Sequence, residues 1–194
     1  TQLAAHLKVR PASVTGMVKR LAELGLATYR RYGRVSLTPA GQRGARTVVR
    51  RHRLAERLLT DVLELPLDRA HDEACRLEHA LSPEVESLIA RKLGDPENCP
   101  HGHPIKAGSG DSAVTLAEAP QGRSLRVVRI EDESPEVVRY LAERKLLPKA
   151  VVRVKEREPV GGGVVLDVGG ETQTLGRELA ETIRVRAARG GRRG

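Results

Sequence analysis

The chain has 194 residues, enough for one large domain or two small ones, with 34 Lys and Arg against 25 Asp and Glu and a formal net charge of +9. That balance fits a polyanionic partner, whereas three Tyr and no Phe or Trp exclude an aromatic stacking platform for single-stranded nucleic acid and leave a core of Leu, Val, Ala and Ile. Two cysteines make no disulfide framework, no apolar run approaches the roughly 20 residues of a membrane span, and no signal peptide is recognisable, so a soluble, cytoplasmic protein without a membrane partner is expected.

Residues 1–7 (TQLAAHL) read as a short helix, and Pro11 opens a longer one in which Val14, Met17, Val18, Leu21 and Leu24 recur at three- and four-residue spacing until Gly25 ends it. A short helix, a tight turn and a second helix make a helix-turn-helix, and the following ATYRRYGRVSL (residues 27–37) reads as two strands around Gly33, a basic wing. Residues 1–45 are therefore expected to be a winged helix-turn-helix DNA-binding domain without the helix that normally precedes the pair. Ser13, Thr15 and Gly16 are small enough to let a helix approach base edges, while Arg10, Lys19 and Arg20, with Arg30, Arg31 and Arg34 on the wing, can hold phosphates of double-stranded DNA.

Thr38 and Pro39 supply a cap and a first-turn proline for a long helix to about Leu65; Pro66 interrupts it, Asp68 can cap the next, which runs to Leu81, and Ser82 and Pro83 start a third that ends near Gly94. Residues 46–95 carry more Leu and Val than a small helical segment needs, which points to a homodimer interface. On the first of these helices His52 and Glu56 stand one turn apart. On the second, His71, Cys75, Glu78 and His79 fall within an arc of roughly 100°, so one face carries two imidazoles, a thiol and a carboxylate. That donor set suits a borderline divalent first-row metal and is poor for Mg or Ca. Cys75 leans it toward Fe(II), a carboxylate there would lean it toward Mn(II), and Zn, Co or Ni should substitute in vitro.

Residues 96–121 read as a linker. Their CPHGHP run offers Cys99, His101 and His103, but a structural zinc needs four ligands and no partner pair is evident. From residue 122 the apolar period changes to two, with strands at 125–130, 150–154, 164–168 and 183–185, a helix over 135–144 and Gly-rich turns at 161–163 and 169–170. Residues 122–187 are thus expected to form a small barrel of SH3 type, giving a mainly α chain with a small β domain, and residues 188–194 a disordered basic tail.

In that order, these parts resemble the diphtheria toxin repressor family of iron- or manganese-dependent repressors. The resemblance is densest over HRLAERLLTDVLELPLDRAHDEACRLEHALSPEVE, residues 52–86, and looser in the helix-turn-helix, in LTPAGQ at 37–42 and in the barrel, which is recognisable by position and pattern. It implies a FeoA-like barrel and two metal sites per subunit. A regulatory site would take Cys75 (side chain and backbone carbonyl), Glu78 and His79, completed in the family by a residue on a first helix missing from this sequence. An ancillary site would take His52, Glu56 and His71 with Glu133 and Glu136 from the barrel, and Arg53 matches a position associated with an anion. The implied function is a dimeric, metal-gated transcriptional repressor of metal-uptake or metal-homeostasis genes, with no small-molecule substrate. A metalloenzyme is the contrasting class, but no general base beyond the ligands and no HExxH motif are present. A winged-helix protein whose zinc is purely structural is the other alternative.

Overall fold

The computed structural model describes residues 2–7, 9–30, 34–106, 112–159 and 162–188. Arg31, the turn at Gly33, Gly161 and the tail beyond residue 188 lie outside the described residues. The chain divides into two units, Thr1–Val49 and Arg50–Gly194. Among the described residues no helix is long and apolar enough to cross a membrane.

In the first unit, α1 (Gln2–His6) and α2 (Pro11–Glu23) precede a hairpin of β1 (Ala27–Thr28) and β2 (Ser36–Leu37), in which Ala27 pairs with Leu37 and Thr28 with Ser36. Gly25, just past the end of α2, takes φ 69°, a left-handed conformation that lacks a steric penalty only without a Cβ. Val14 and Val18 pack with Ala4 and Tyr29, while Met17, Leu21 and Leu24 of the same repeat stay exposed. Thr38 caps α3 (Pro39–Asp61) as its place before Pro39 implies: its hydroxyl donates to the Gly25 carbonyl (2.7 Å) and accepts from the Gly41 N–H (3.1 Å). A Cβ on Gly41 would fall on the Leu26 carbonyl, so this first turn requires glycine.

In the second unit, Leu54, Ala55 and Leu59 form the buried side of α3. α4 (Leu67–Leu77) turns the fully buried Ala70 and Ala74 inward, and such small side chains let neighbouring helix backbones approach closely. α5 (Pro83–Lys92) starts at Ser82, whose hydroxyl accepts from the Val85 N–H (3.2 Å), and is tied to α3 by Glu86, which accepts from Arg50 (2.8 Å) and Arg51 (3.0 Å). Two helices are shorter than their apolar patterns imply. α3 stops at Asp61 because Pro66 disfavours helical backbone before it, and the chain turns through Glu64 at φ 55°. α4 stops at Leu77 rather than Leu81, and its N-cap is Pro66, not Asp68, which stands in the first turn.

Residues 96–121, expected as a linker, are instead largely packed. An isolated bridge joins Asn98 and Pro104, Cys99 and Ile105 are buried, and Leu116 and Ala119 enter the barrel core. The barrel is an antiparallel sheet in the order β3-β8-β4-β5-β6-β7, built from β3 (Val114–Thr115), β4 (Ser124–Ile130), β5 (Val151–Arg157), β6 (Val164–Val168), β7 (Glu171–Leu175) and β8 (Ile183–Ala187). A register shift after Val127 in β4 brings Ile130 rather than Arg129 to the core beside Leu125 and Val127. β7 (ETQTL) escapes a reading by apolar alternation because only Leu175 in it is apolar and buried. α6 (Pro135–Glu143) and the short α7 (Arg177–Thr182) complete the unit.

Candidate metal centre

α3 and α4 bring their donors together beside the buried cluster of Ala55, Leu59 and Ala74. His52 Nδ1 lies 2.8 Å from Glu78 Oε2, and its Nε2 lies 3.2 Å from Glu56 Oε1 and 3.3 Å from His71 Nδ1. The Cys75 sulfur is 3.9 Å from His52 Nδ1 and 3.8 Å from His71 Nε2. The residues assigned by resemblance to two separate sites therefore meet, with His52 touching members of both sets. His79 is exposed, and its Nε2 lies 3.1 Å from the other oxygen of Glu78.

The barrel contributes Glu133, from the turn between β4 and α6, whose Oε2 lies 2.6 Å from His71 Nδ1. Glu136, expected beside it, is exposed in the first turn of α6 and joins none of the clustered donor groups among the described residues. Glu133 precedes α6, which begins only at Pro135, so no helical spacing carries Glu136 to the same side. Arg53 donates to the Pro104 carbonyl, holding the 98–104 loop against α3.

That loop brings in donors the helical pattern missed. His101 is fully buried, with Nδ1 3.1 Å from Glu56 Oε1, and His103 Nε2 lies 3.0 Å from Glu133 Oε1. Gly102 makes the approach possible. It sits at φ 93° with Val128 where a Cβ would be, and the flanking histidines bond to Ile130, whose N–H donates to the His101 carbonyl (3.0 Å). The CPHGHP run was a usable signal, but its partners Glu56 and Glu133 lie far away in sequence and only the fold supplies them.

Three overlapping groups result, each with ligand atoms within 4.8 Å of one another: His52, His71 and Cys75; His52, Glu56, His71 and Glu133; and Glu56, Cys99, His101 and Glu133. Glu56 Oε2 and His101 Nε2 are buried without a hydrogen-bond partner among the described residues. Buried polar atoms are almost always satisfied, so two orphans within a convergent set of imidazole, carboxylate and thiol donors fit a divalent cation. The charges agree. Burial opposes ionisation of Glu56, but hydrogen bonds to His101, His52 and His71 hold its carboxyl far below the ordinary range, and those to His103 and His71 take Glu133 to about 2. Hydrogen bonds to Glu133 and Glu56 lift His71 to about 10, and His52 is raised although burial works against it. Burial pushes the thiols of Cys75 and Cys99 up. Protons on the imidazoles thus supply positive charge that a bound cation would replace.

In the first unit, Ser13, Thr15, Lys19 and Arg20 cover the side of α2 away from Val14 and Val18, and all are exposed, as are Arg10 and Arg34. A side chain at Gly16 would meet nothing, Thr15 donates back to the Pro11 carbonyl (3.1 Å), and Arg20 pairs with Glu23 (3.3 Å).

The chain matches three domain families: the iron dependent repressor N-terminal DNA binding domain over residues 1–35, the iron dependent repressor metal binding and dimerisation domain over 38–107, and the FeoA domain over 114–187. It is 34% identical to the iron-dependent repressor IdeR of Mycobacterium leprae, over 95% of this chain and 86% of that protein. It is 32% identical, with the same coverage, to the diphtheria toxin repressor of Corynebacterium diphtheriae. Its structure superposes on a manganese-dependent transcriptional repressor in complex with manganese with a TM-score of 0.87, at 34% identity, covering 96% of this chain and 89% of the other. With the winged helix, the metal-binding helices and the FeoA barrel in the same order as in these relatives, the chain belongs to the iron-dependent repressor family of diphtheria toxin repressor type.

Proposed function

We propose that this protein is a cytoplasmic, metal-dependent transcriptional repressor that binds operator DNA as a homodimer when loaded with Fe(II) or Mn(II) and controls genes of metal uptake or homeostasis. The observation that carries this reading is the pair of overlapping donor groups between α3 and α4, His52, His71 and Cys75 in one and His52, Glu56, His71 and Glu133 in the other, with a buried carboxylate oxygen of Glu56 left unsatisfied. Cys75, Glu78 and His79 would hold one ion once the exposed His79 ring turns in, and His52, Glu56 and His71 with Glu133 would hold another. Glu56, Cys99, His101 and Glu133 form a further, buried donor set that ties the loop and the barrel to α3. The bound ion supplies the charge that lets carboxylates and thiolate share one small volume. Mixed nitrogen, oxygen and sulfur donors favour Fe(II) over Mn(II), with Zn, Co and Ni able to compete in vitro.

The gating follows from what the chain's own residues do. α3 is one continuous helix from Pro39, capped by Thr38 beside the wing, to Asp61, beyond His52 and Glu56. An ion held by its ligand-bearing half would favour the DNA-competent state, and about 1.4 kcal/mol of such preference changes its population ratio tenfold. Ser13, Thr15, Lys19 and Arg20 on α2, with Arg10, Arg31 and Arg34, would then meet base edges and phosphates. Arg53 is engaged with Pro104 and would need to release it to hold an anion.

Fluorescence anisotropy on an operator duplex tests this: affinity should rise with Fe(II), Mn(II) or Co(II) and fall with chelator. The triple variant Cys75→Ala, Glu78→Ala, His79→Ala should lose the metal response while remaining folded. Equal affinity with and without metal would overturn the proposal.

A further inference from the structure

Between the end of α3, the loop after α5 and the barrel lies a crevice of about 980 Å³. We infer that it is a binding site for a small anion bearing two adjacent phosphate groups, held by Arg126, Lys149 and Arg186. The barrel side of the crevice is lined by residues 126–129, 147–149 and Arg186, and contains four cations and no carboxylate. Two of those cations are paired in a way that costs stability on its own: Arg126 stands directly across from Arg186 in the β4–β8 ladder. Residues so placed project on the same face with Cβ atoms about 5 Å apart, and like charges there repel. The Arg126 guanidinium donates to the Lys149 carbonyl (3.1 Å), and neither arginine has a carboxylate partner among the described residues.

Lys149 adds an independent observation. Its φ is 83°, where a residue with a Cβ is strained and glycine is not. The backbone is held there from both ends, its N–H donating to the Val127 carbonyl (2.8 Å) and its carbonyl accepting from Arg126. Strain of this kind persists where the side chain has a use, and the Lys149 ammonium has no ion-pair partner among the described residues. By contrast, Arg57 and Arg129 on the same crevice are engaged, the former by Asp61 (2.9 Å) and the Asn98 carbonyl (3.0 Å), the latter by Glu131 (2.9 Å). On the barrel side the uncommitted charge is therefore concentrated on Arg126, Lys149 and Arg186, with Lys106 on the facing loop.

Two arginines opposite each other in the ladder, with Lys149 on the same crevice, match two neighbouring oxyanions better than one. Pro96, Pro100, Pro104 and Pro148 stiffen the walls and reduce the ordering cost of binding. Asp95 and Glu97 on the facing wall disfavour a long polyanion such as a duplex backbone, which leaves a compact diphosphate as the fitting ligand.

The probe is inorganic pyrophosphate, titrated calorimetrically into the full chain after metal is removed and chelator dialysed away, so that chelation contributes no heat. Saturable one-to-one binding, tighter than that of orthophosphate, is expected. Lys149→Gly should weaken it about tenfold, the loss of one charge-assisted contact, while the melting temperature holds or rises because glycine relieves the backbone. Arg126→Gln with Arg186→Gln should abolish it. No saturation by about 10 mM pyrophosphate, equal affinity for orthophosphate, or unchanged affinity in the variants would overturn the inference. So would a double variant that loses affinity for DNA and not for pyrophosphate.

Discussion

Glu56 is the residue whose change tests the metal centre most directly. Its side chain is fully buried, and Oε1 lies within 3.6 Å of ring nitrogens from His52, His71 and His101. Glu56→Gln preserves shape and one acceptor but removes the negative charge that favours the protonated imidazoles of His52 and His71. Breaking a buried ion pair from one side costs about 3–5 kcal/mol, and a unit of this size loses about 2–4 °C per kcal/mol. The melting temperature in chelator near neutral pH should therefore fall by about 6–20 °C, toward the lower figure as the imidazoles shed their protons. An ion at a hundred times its dissociation constant stabilises the wild type by about 2.7 kcal/mol, and a hundredfold loss of affinity cuts that to about 0.4 kcal/mol. Scanning calorimetry of both proteins, in chelator and in Mn(II), measures both effects. A variant as stable as wild type in chelator, and raised equally by the ion, would refute the assignment of Glu56 as the hub of the site.

Four further outcomes are expected. The His71 pKa near 10 means that its proton must be displaced by any ion that binds there, so metal affinity measured by Co(II) absorbance should climb with pH, by up to about tenfold per unit for each proton released. The same raised pKa stabilises the metal-free fold fully below His71's ordinary value of 6.5, and that contribution disappears as pH rises through about 10; metal-free melting curves across that range check it. Leu63→Glu with Leu88→Glu places charge on two exposed apolar positions of the dimerisation segment and should shift the sedimentation coefficient toward that of a monomer; an unchanged value would place the interface elsewhere. Gly41→Ala drives a methyl onto the Leu26 carbonyl and should cost the first unit about 1–3 kcal/mol, lowering operator affinity while Co(II) binding stays as in wild type.

Much of the chain was legible locally because its determinants are local. Thr38 before Pro39 caps a helix, Gly25 ends one, and the four-residue step from His52 to Glu56 and from His71 to Cys75 places donors on one helix face whatever surrounds them. Helix ends were less legible. Pro66 acts on the residues before it, and the apolar residues beyond Leu77 pack without remaining helical. β7, with one buried apolar residue, lacks the alternation that marks a strand.

Residue spacing along the chain determined that α3 and α4 each carry metal-type donors, because a helix converts sequence distance into a fixed angle. Tertiary packing alone decided that those donors become neighbours around His52, that Glu133 reaches His71 while Glu136 stays in solvent, and that His101 and His103 arrive from a segment resembling a linker. The reason is physical: the placing of the two helices follows from side chains such as Ala55, Leu59 and Ala74 packed together, and the path of the histidine loop follows from one glycine pressed against β4. Neither has a periodicity that the chain could display before it folds.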